Sequence, residues 1–148
     1  MPQSFVPAIV EVTHEGQLRV LQGHAREGNG SIVEDHPGAI EHIDEVTMRA
    51  MLARQNLSLE GRDLVVTRGT QDPLTRAQFD RLCAHVVSAF PRLKERYDQE
   101  GRCVDEGSLT WDIWLATGTK RVWADDCADK GAFGSLVDEL RELVPARA

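Results

Sequence analysis

Apolar and polar residues alternate from Ala8 to Gln22, so that Val10 and Val12 face Leu18 and Val20 across Glu15-Gly16; this spacing predicts a β-hairpin. From Gly23 to Gly38 the alternation stops. Gly23, Gly28, Gly30 and Pro37-Gly38 are set among polar residues, which predicts a long loop of the kind that is mobile or functional. Helical features begin after Ile43. Asp44 is placed to cap the helix, Glu45 to sit at the positive end of its dipole, and Ile43 to reach Met48 over the first turn, with an end near Gln55-Asn56. Leu57 to Thr67 predicts one or two short strands around Gly61, the stronger piece being Leu64-Val65-Val66-Thr67, and Gly69 to Pro73 predicts a turn.

The second half opens on Thr75-Arg76-Ala77-Gln78, a capping box, with Leu74 and Phe79 at the staple positions. Phe79, Leu82, Cys83, Val86, Phe90, Leu93 and Tyr97 then recur at helical spacing, which assigns Cys83 to the buried stripe as a small hydrophobe, and Pro91 divides the helix after Phe90. Gly101 to Gly107 predicts a loop. Leu109 to Leu115 and Lys120 to Ala124 predict a second hairpin turning at Thr117-Gly118, and Ala132 to Val144 a closing amphipathic helix stopped by Pro145. The order ββ-α-β-α-ββ-α points to the α+β class: a mainly antiparallel sheet from two hairpins and a middle strand, covered by about three helices. A length of 148 residues predicts a single domain, 1–148, carrying an acidic mobile loop over about 23–42.

Composition changes this picture little: 41% apolar and 28% charged residues are ordinary globular usage and exclude a disordered or disulfide-dense chain. Charge distribution changes it more. Of the net −7, almost all comes from Glu27, Glu34, Asp35, Glu41, Asp44 and Glu45, a stretch without Lys or Arg, while the rest of the chain is close to neutral. A basic footprint for a nucleic-acid backbone is missing, so direct nucleic-acid binding is not expected. No run reaches the about 18 apolar residues of a membrane helix, and the start has neither a basic nor an apolar leader segment, which predicts a cytoplasmic protein with no membrane partner.

Candidate chemistry is concentrated in two places. With Thr117-Gly118 at the turn, Ile113 opposes Val122 and Trp114 opposes Arg121. Trp111, Ile113, Leu115, Val122 and Ala124 then share a core face, and Asp112, Trp114, Arg121 and Trp123 share the other, with Arg121 over Trp114. Two Trp with an Arg and an Asp have the composition of a protein-binding hot spot, or of a face covered by a segment of the same chain or by a second subunit in a homodimer. The second place is the acidic loop with His36 and His42. Six residues apart across Pro37-Gly38, these histidines lack the spacing of a metal-binding helix, so no metal ligands, cofactor or catalytic residues are assigned. Phosphate loops, dinucleotide fingerprints, nucleophile elbows and zinc-protease motifs are missing as well, and Cys83 and His85, two apart on a helix, point about 200° from each other and form no dyad.

Of three cysteines, Cys103 and Cys127 flank the second hairpin; they can be bridged in an oxidising compartment and stay reduced otherwise. The run Cys103-Val104-Asp105-Glu106, then Leu109-Thr110-Trp111-Asp112-Ile113, Lys120-Arg121-Val122, Cys127 and a closing helix resembles small exported bacterial domains of unknown function over about a third of the chain. That resemblance implies a periplasmic location with a Cys103–Cys127 bridge. The expectation for function is a non-enzymatic acidic binding protein, an immunity or inhibitor module that neutralises a bacterial toxin or enzyme. Its partner-binding residues would be Asp112, Trp114, Arg121 and Trp123 with Glu34, Asp35, Glu41 and Asp44, against a basic partner surface. Two alternatives stand beside it: an anti-defence protein of a phage or mobile element whose carboxylates imitate phosphates, and an enzyme built on the His36/His42 loop.

Overall fold

The computed structural model describes residues 4–98, 108–115, 118–125 and 128–144, without the side chains of residues 4–7, 108–110, 114 and 125. The fold is mixed α+β, as the element order predicts, and the chain divides into two compact units, Met1–Arg76 and Ala77–Ala148. The two hairpins do not share a sheet: each unit has its own.

In the first unit β1 (Ser4–Val12) and β2 (Gln17–Glu27) form the first hairpin in the predicted register, Val10 opposite Val20 and Val12 opposite Leu18. The chain then adds β3 (Ile32–Glu34), β4 (Ile40–Glu41), α1 (Glu45–Arg54) and β5 (Arg62–Pro73). β2 lies antiparallel between β1 and β5, while β3 and β4 run parallel to β5 on its other edge. Pro7, which has no N–H to donate, falls in edge strand β1 where the register shifts between Val6 and Ile9. That position needs no ladder bond, and a proline and an irregularity there discourage pairing with another chain. Helix α1 packs Met48, Met51 and Leu52 on Ile9, Leu21, Leu64 and Val66 of the sheet, and Ile43 joins the same cluster, as its staple position predicts.

Two expectations fail here for one reason, the reading of glycine. Gly23 to Glu27 is not loop: β2 continues through it and pairs with β5 to Glu27 opposite Arg62. A Cβ on Gly23 would lie 2.3 Å from the Val65 carbonyl oxygen, so this glycine admits a close backbone approach at the register shift after Gln22. Likewise Gly69 to Pro73 is the end of β5, with Gly69 opposite Leu21. The space of its missing side chain is taken by Val66, by Met48 of α1 and by Ile40 of β4. The rest of the expected acidic loop is also partly strand, since β3 and β4 fall within it.

The turn joining β2 to β3 closes around Asp63, whose Oδ1 accepts from Asn29 N and Ser31 N, both at 2.9 Å. Arg49 of α1 donates to Gly30 O at 2.7 Å. The backbone bond from Ser31 first, and that from Asn29 after the opposing cost of desolvation, hold the Asp63 carboxyl below its ordinary value of 3.8. Asp44, which accepts from Thr47 N at 2.7 Å as helix cap, is lowered by that same bond. A carboxyl depressed in the folded state stabilises the fold fully above its unfolded value and loses that contribution as pH falls through the folded one. Equilibrium urea unfolding should therefore weaken steadily below about pH 4, and Asp63→Asn should be less stable at neutral pH with a flatter acid limb. An acid limb identical to that of the parent would mean that this turn does not depend on the carboxylate.

In the second unit α2 (Arg76–Ala89) starts directly after Thr75 and ends before the 3-10 turn Phe90–Arg92, where Pro91 breaks it as predicted. β6 (Arg96–Tyr97), β7 (Ser108–Leu115) and β8 (Gly118–Asp125) form a sheet in the order β6-β8-β7, and α3 (Ala132–Leu143) follows. Tyr97, which continued the helical spacing, is in a strand instead; beyond Pro91 the spacing is coincidence. Phe133 of α3 is the centre of this core, stacked on Tyr97 at 5.8 Å and edge-on to Trp111 at 5.1 Å, with Ile113, Val122, Ala124, Leu136 and Val137 around it.

Cys83 is exposed, against its assignment to the buried stripe. In α2 the buried residues are Leu82 and Ala89, with Phe79, His85 and Val86 half-buried. The stripe is narrow, and about 100° of rotation per residue carries Cys83 past its edge.

Candidate functional site

β7 and β8 pair with Leu115 opposite Gly118, which puts Ile113 opposite Lys120 and Trp114 opposite Thr119. The expected register was different, with Thr117-Gly118 as turn residues, Ile113 against Val122 and Trp114 against Arg121. Gly118, at φ 151°, opens strand β8 rather than completing the turn. Each partner moves by two positions, and since side chains alternate with period two, the faces survive the change. Ile113, Val122 and Ala124 are buried on the core side, and Lys120 of the same face is anchored to the carbonyls of Phe90 and Leu93, both at 2.9 Å.

On the opposite face Asp112 is directly across from Arg121. The Arg121 Nε and Nη2 groups donate to the two carboxylate oxygens at 2.6 and 2.9 Å, a planar two-point clasp. The clasp raises the guanidinium further above its ordinary value, the side-chain hydrogen bond to Asp112 being the main cause. It also divides the exposure unequally, with the Arg121 side chain 57% exposed and the Asp112 carboxylate beneath it 13%. The Trp114 side chain, on which Arg121 was expected to lie, is outside the described residues.

A residue that sequence reasoning missed completes the face. Arg96, on β6, is opposite Trp123 of β8, and its guanidinium carbon stands 4.2 Å from the centre of the indole ring. The backbone sets this up: Trp123 N donates to Glu95 O at 2.9 Å, fixing the short parallel strand, and Arg96 Nε donates to Asp98 Oδ1 at 2.7 Å. Nothing local in the sequence marks Arg96, because its role depends on β6 pairing with a strand more than 20 residues later.

The acidic residues belong to the other unit and are dispersed over its elements. Glu34 and Asp35 are at the end of β3 and exposed, Glu41 is half-buried in β4, and Asp44 is committed to capping α1. Glu45 lies 3.5 Å from Arg49 one turn on. The two histidines have separate carboxylate neighbours, His36 with Asp35 at 3.4 Å and His42 with Asp72 at 3.6 Å, both largely exposed. Among the described residues no three His, Cys, Asp or Glu side chains are grouped to hold a metal ion. Cys103 and Cys127 lie outside the described residues.

Within the second unit His85 of α2 meets Glu139 of α3, Nδ1 to Oε2 at 2.6 Å, along a groove of about 320 Å³ also lined by Gln78, Arg81, Ser135, Asp138 and Glu142. Ser135 Oγ donates to Ala132 O, within its own helix. Partial burial first, and the Asp80 carboxylate second, hold the Cys83 thiol above its ordinary value, the opposite of what an activated nucleophile needs. The best organised arrangement among the described residues is a face of guanidinium donors and an indole on strands backed by a packed core. No family model matches this chain, and no curated protein or solved structure matches it either.

Proposed function

We propose that this chain is a protein-binding module of the immunity or inhibitor type, which acts by covering a partner and not by catalysis. The observation that carries the reading is the outer face of the β7–β8 hairpin, where Trp123, Arg96 and the Arg121–Asp112 clasp are presented together. Indole and guanidinium groups are enriched among the residues that dominate binding energy at protein interfaces. Their geometry is set before any partner arrives, so little side-chain entropy remains to be lost on docking. None of the helices among the described residues is long and apolar enough to cross a membrane.

In-cell crosslinking with mass spectrometry tests the reading, with Trp123→Ala as the matched control. The parent should crosslink to a defined protein, and Trp123→Ala, with unchanged circular dichroism and urea midpoint, should lose that adduct. Equal recovery by both chains would remove the hairpin face from the proposal, and loss of folding in Trp123→Ala would show the indole to be structural.

A further inference from the structure

The acidic segment suggests a basic partner, but the groups most exposed on the hairpin face include two guanidiniums, Arg96 and Arg121. We propose that this face recognises carboxylates, and that the segment docking on it is an acidic stretch of a protein partner, with Trp123 as the apolar anchor on the face that carries Arg96 and Arg121. The inference rests on the protein-binding reading above and names the chemistry of its partner.

Three observations carry it. First, Arg121 and Trp123 are two residues apart on β8 and so project from the same face, while Arg96 reaches over the indole from β6, which brings two guanidiniums and the ring to one face. Second, charge at this face is unevenly exposed: the Asp112 side chain is 13% exposed, and Arg121 and Arg96 remain 57% and 64% exposed. Third, hydrogen-bonding capacity remains. A guanidinium has five N–H donors; the clasp to Asp112 uses two of those on Arg121, and the contact to Asp98 uses one on Arg96. The remaining donors suit the two oxygens of an incoming carboxylate, a pairing that arginine makes in planar two-point geometry. Asp98 is itself 61% exposed and can be displaced from Arg96 with little loss, as an open ion pair contributes little. Nucleic acid offers anionic oxygens too, but a chain of net −7 opposes a polyphosphate over the whole encounter, whereas a short acidic segment meets only the local patch.

The test is a titration of the full chain with an oligoglutamate peptide at low salt, followed by the indole N–H resonance of Trp123, assigned by its disappearance in Trp123→Phe. Oligolysine and an oligothymidine strand of equal length are run in parallel. The expected result is a saturable shift with oligoglutamate alone, weakened about tenfold in Arg96→Gln and in Arg121→Gln, and less in Arg121→Lys, which keeps the charge and loses the fork. Added salt should weaken it further. No shift, a shift indifferent to both arginines, a preference for oligolysine, or tighter binding of oligothymidine each overturns the proposal. Its failure is separable from that of the protein-binding reading. A crosslinked partner lost in Trp123→Ala yet retained in both arginine variants would leave the interface standing and refute carboxylate recognition; an oligoglutamate shift with no crosslinked protein would do the reverse.

Discussion

Phe133→Ala is expected to destabilise the second unit by about 3–5 kcal/mol, a large share of what a small domain has in total. The ring is 0% exposed, stacked on Tyr97 and perpendicular to Trp111. Removing it forfeits the burial of an aromatic side chain, the ring–ring contacts, and the packing of whichever neighbours cannot close the cavity. The consequences reach the candidate interface, because the strands that present Arg121 and Trp123 outward are held from inside by Ile113, Val122 and Ala124 of the same cluster. Phe133→Leu, which leaves a smaller void, should lose about half as much. Urea unfolding read by near-ultraviolet circular dichroism checks both, since Trp111 reports directly on the edge contact. A Phe133→Ala chain that unfolds at the parent's urea concentration would mean that α3 is not seated on the sheet as described.

The second large effect is expected from the smallest change. Gly23→Ala should cost about 3 kcal/mol, the upper end of ordinary overpacking, because the added Cβ falls 2.3 Å from the Val65 carbonyl oxygen and 3.2 Å from the Val66 Cα. Both obstacles are main chain of β5, so relief requires moving β2 away from β5 in the middle of the sheet. Gly61→Ala is the informative comparison: a Cβ there meets nothing within 4 Å, and only its φ of 73° resists. Measured side by side, Gly23→Ala should be clearly the more damaging and should also deprotect β2 amides to hydrogen exchange. Equal losses at the two positions would argue that the strand is not continuous through Gly23.

Most helices and both hairpins were legible because their signals are local. Asp44 caps α1, Pro91 ends α2, and alternation places Val10 and Val12 against Val20 and Leu18 without reference to anything distant. The faces of the second hairpin were legible for the same reason, even though its register was not: a two-residue shift at the turn changes partners and leaves period-two alternation intact. Glycine was the weak point. At Gly23 and Gly69 it marks a place where another chain segment comes close, and that information belongs to β5, α1 and β4, not to the glycine's own neighbours. Cys83 was misplaced because an apolar pattern gives the direction of a helical stripe but not the width that its packing partner buries.

By itself, the sequence determined the α+β class, the positions of the main helices and hairpins, and the sorting of Trp111 and Ile113 inward from Asp112, Arg121 and Trp123. All of these follow from short-range periodicity and end-capping. Only the tertiary structure decided that the hairpins enter separate sheets, that the acidic residues are dispersed over several elements, and that Arg96 lies on Trp123. Each depends on which distant strands pair, a choice made by the summed burial of whole faces and not by the residues beside any one position.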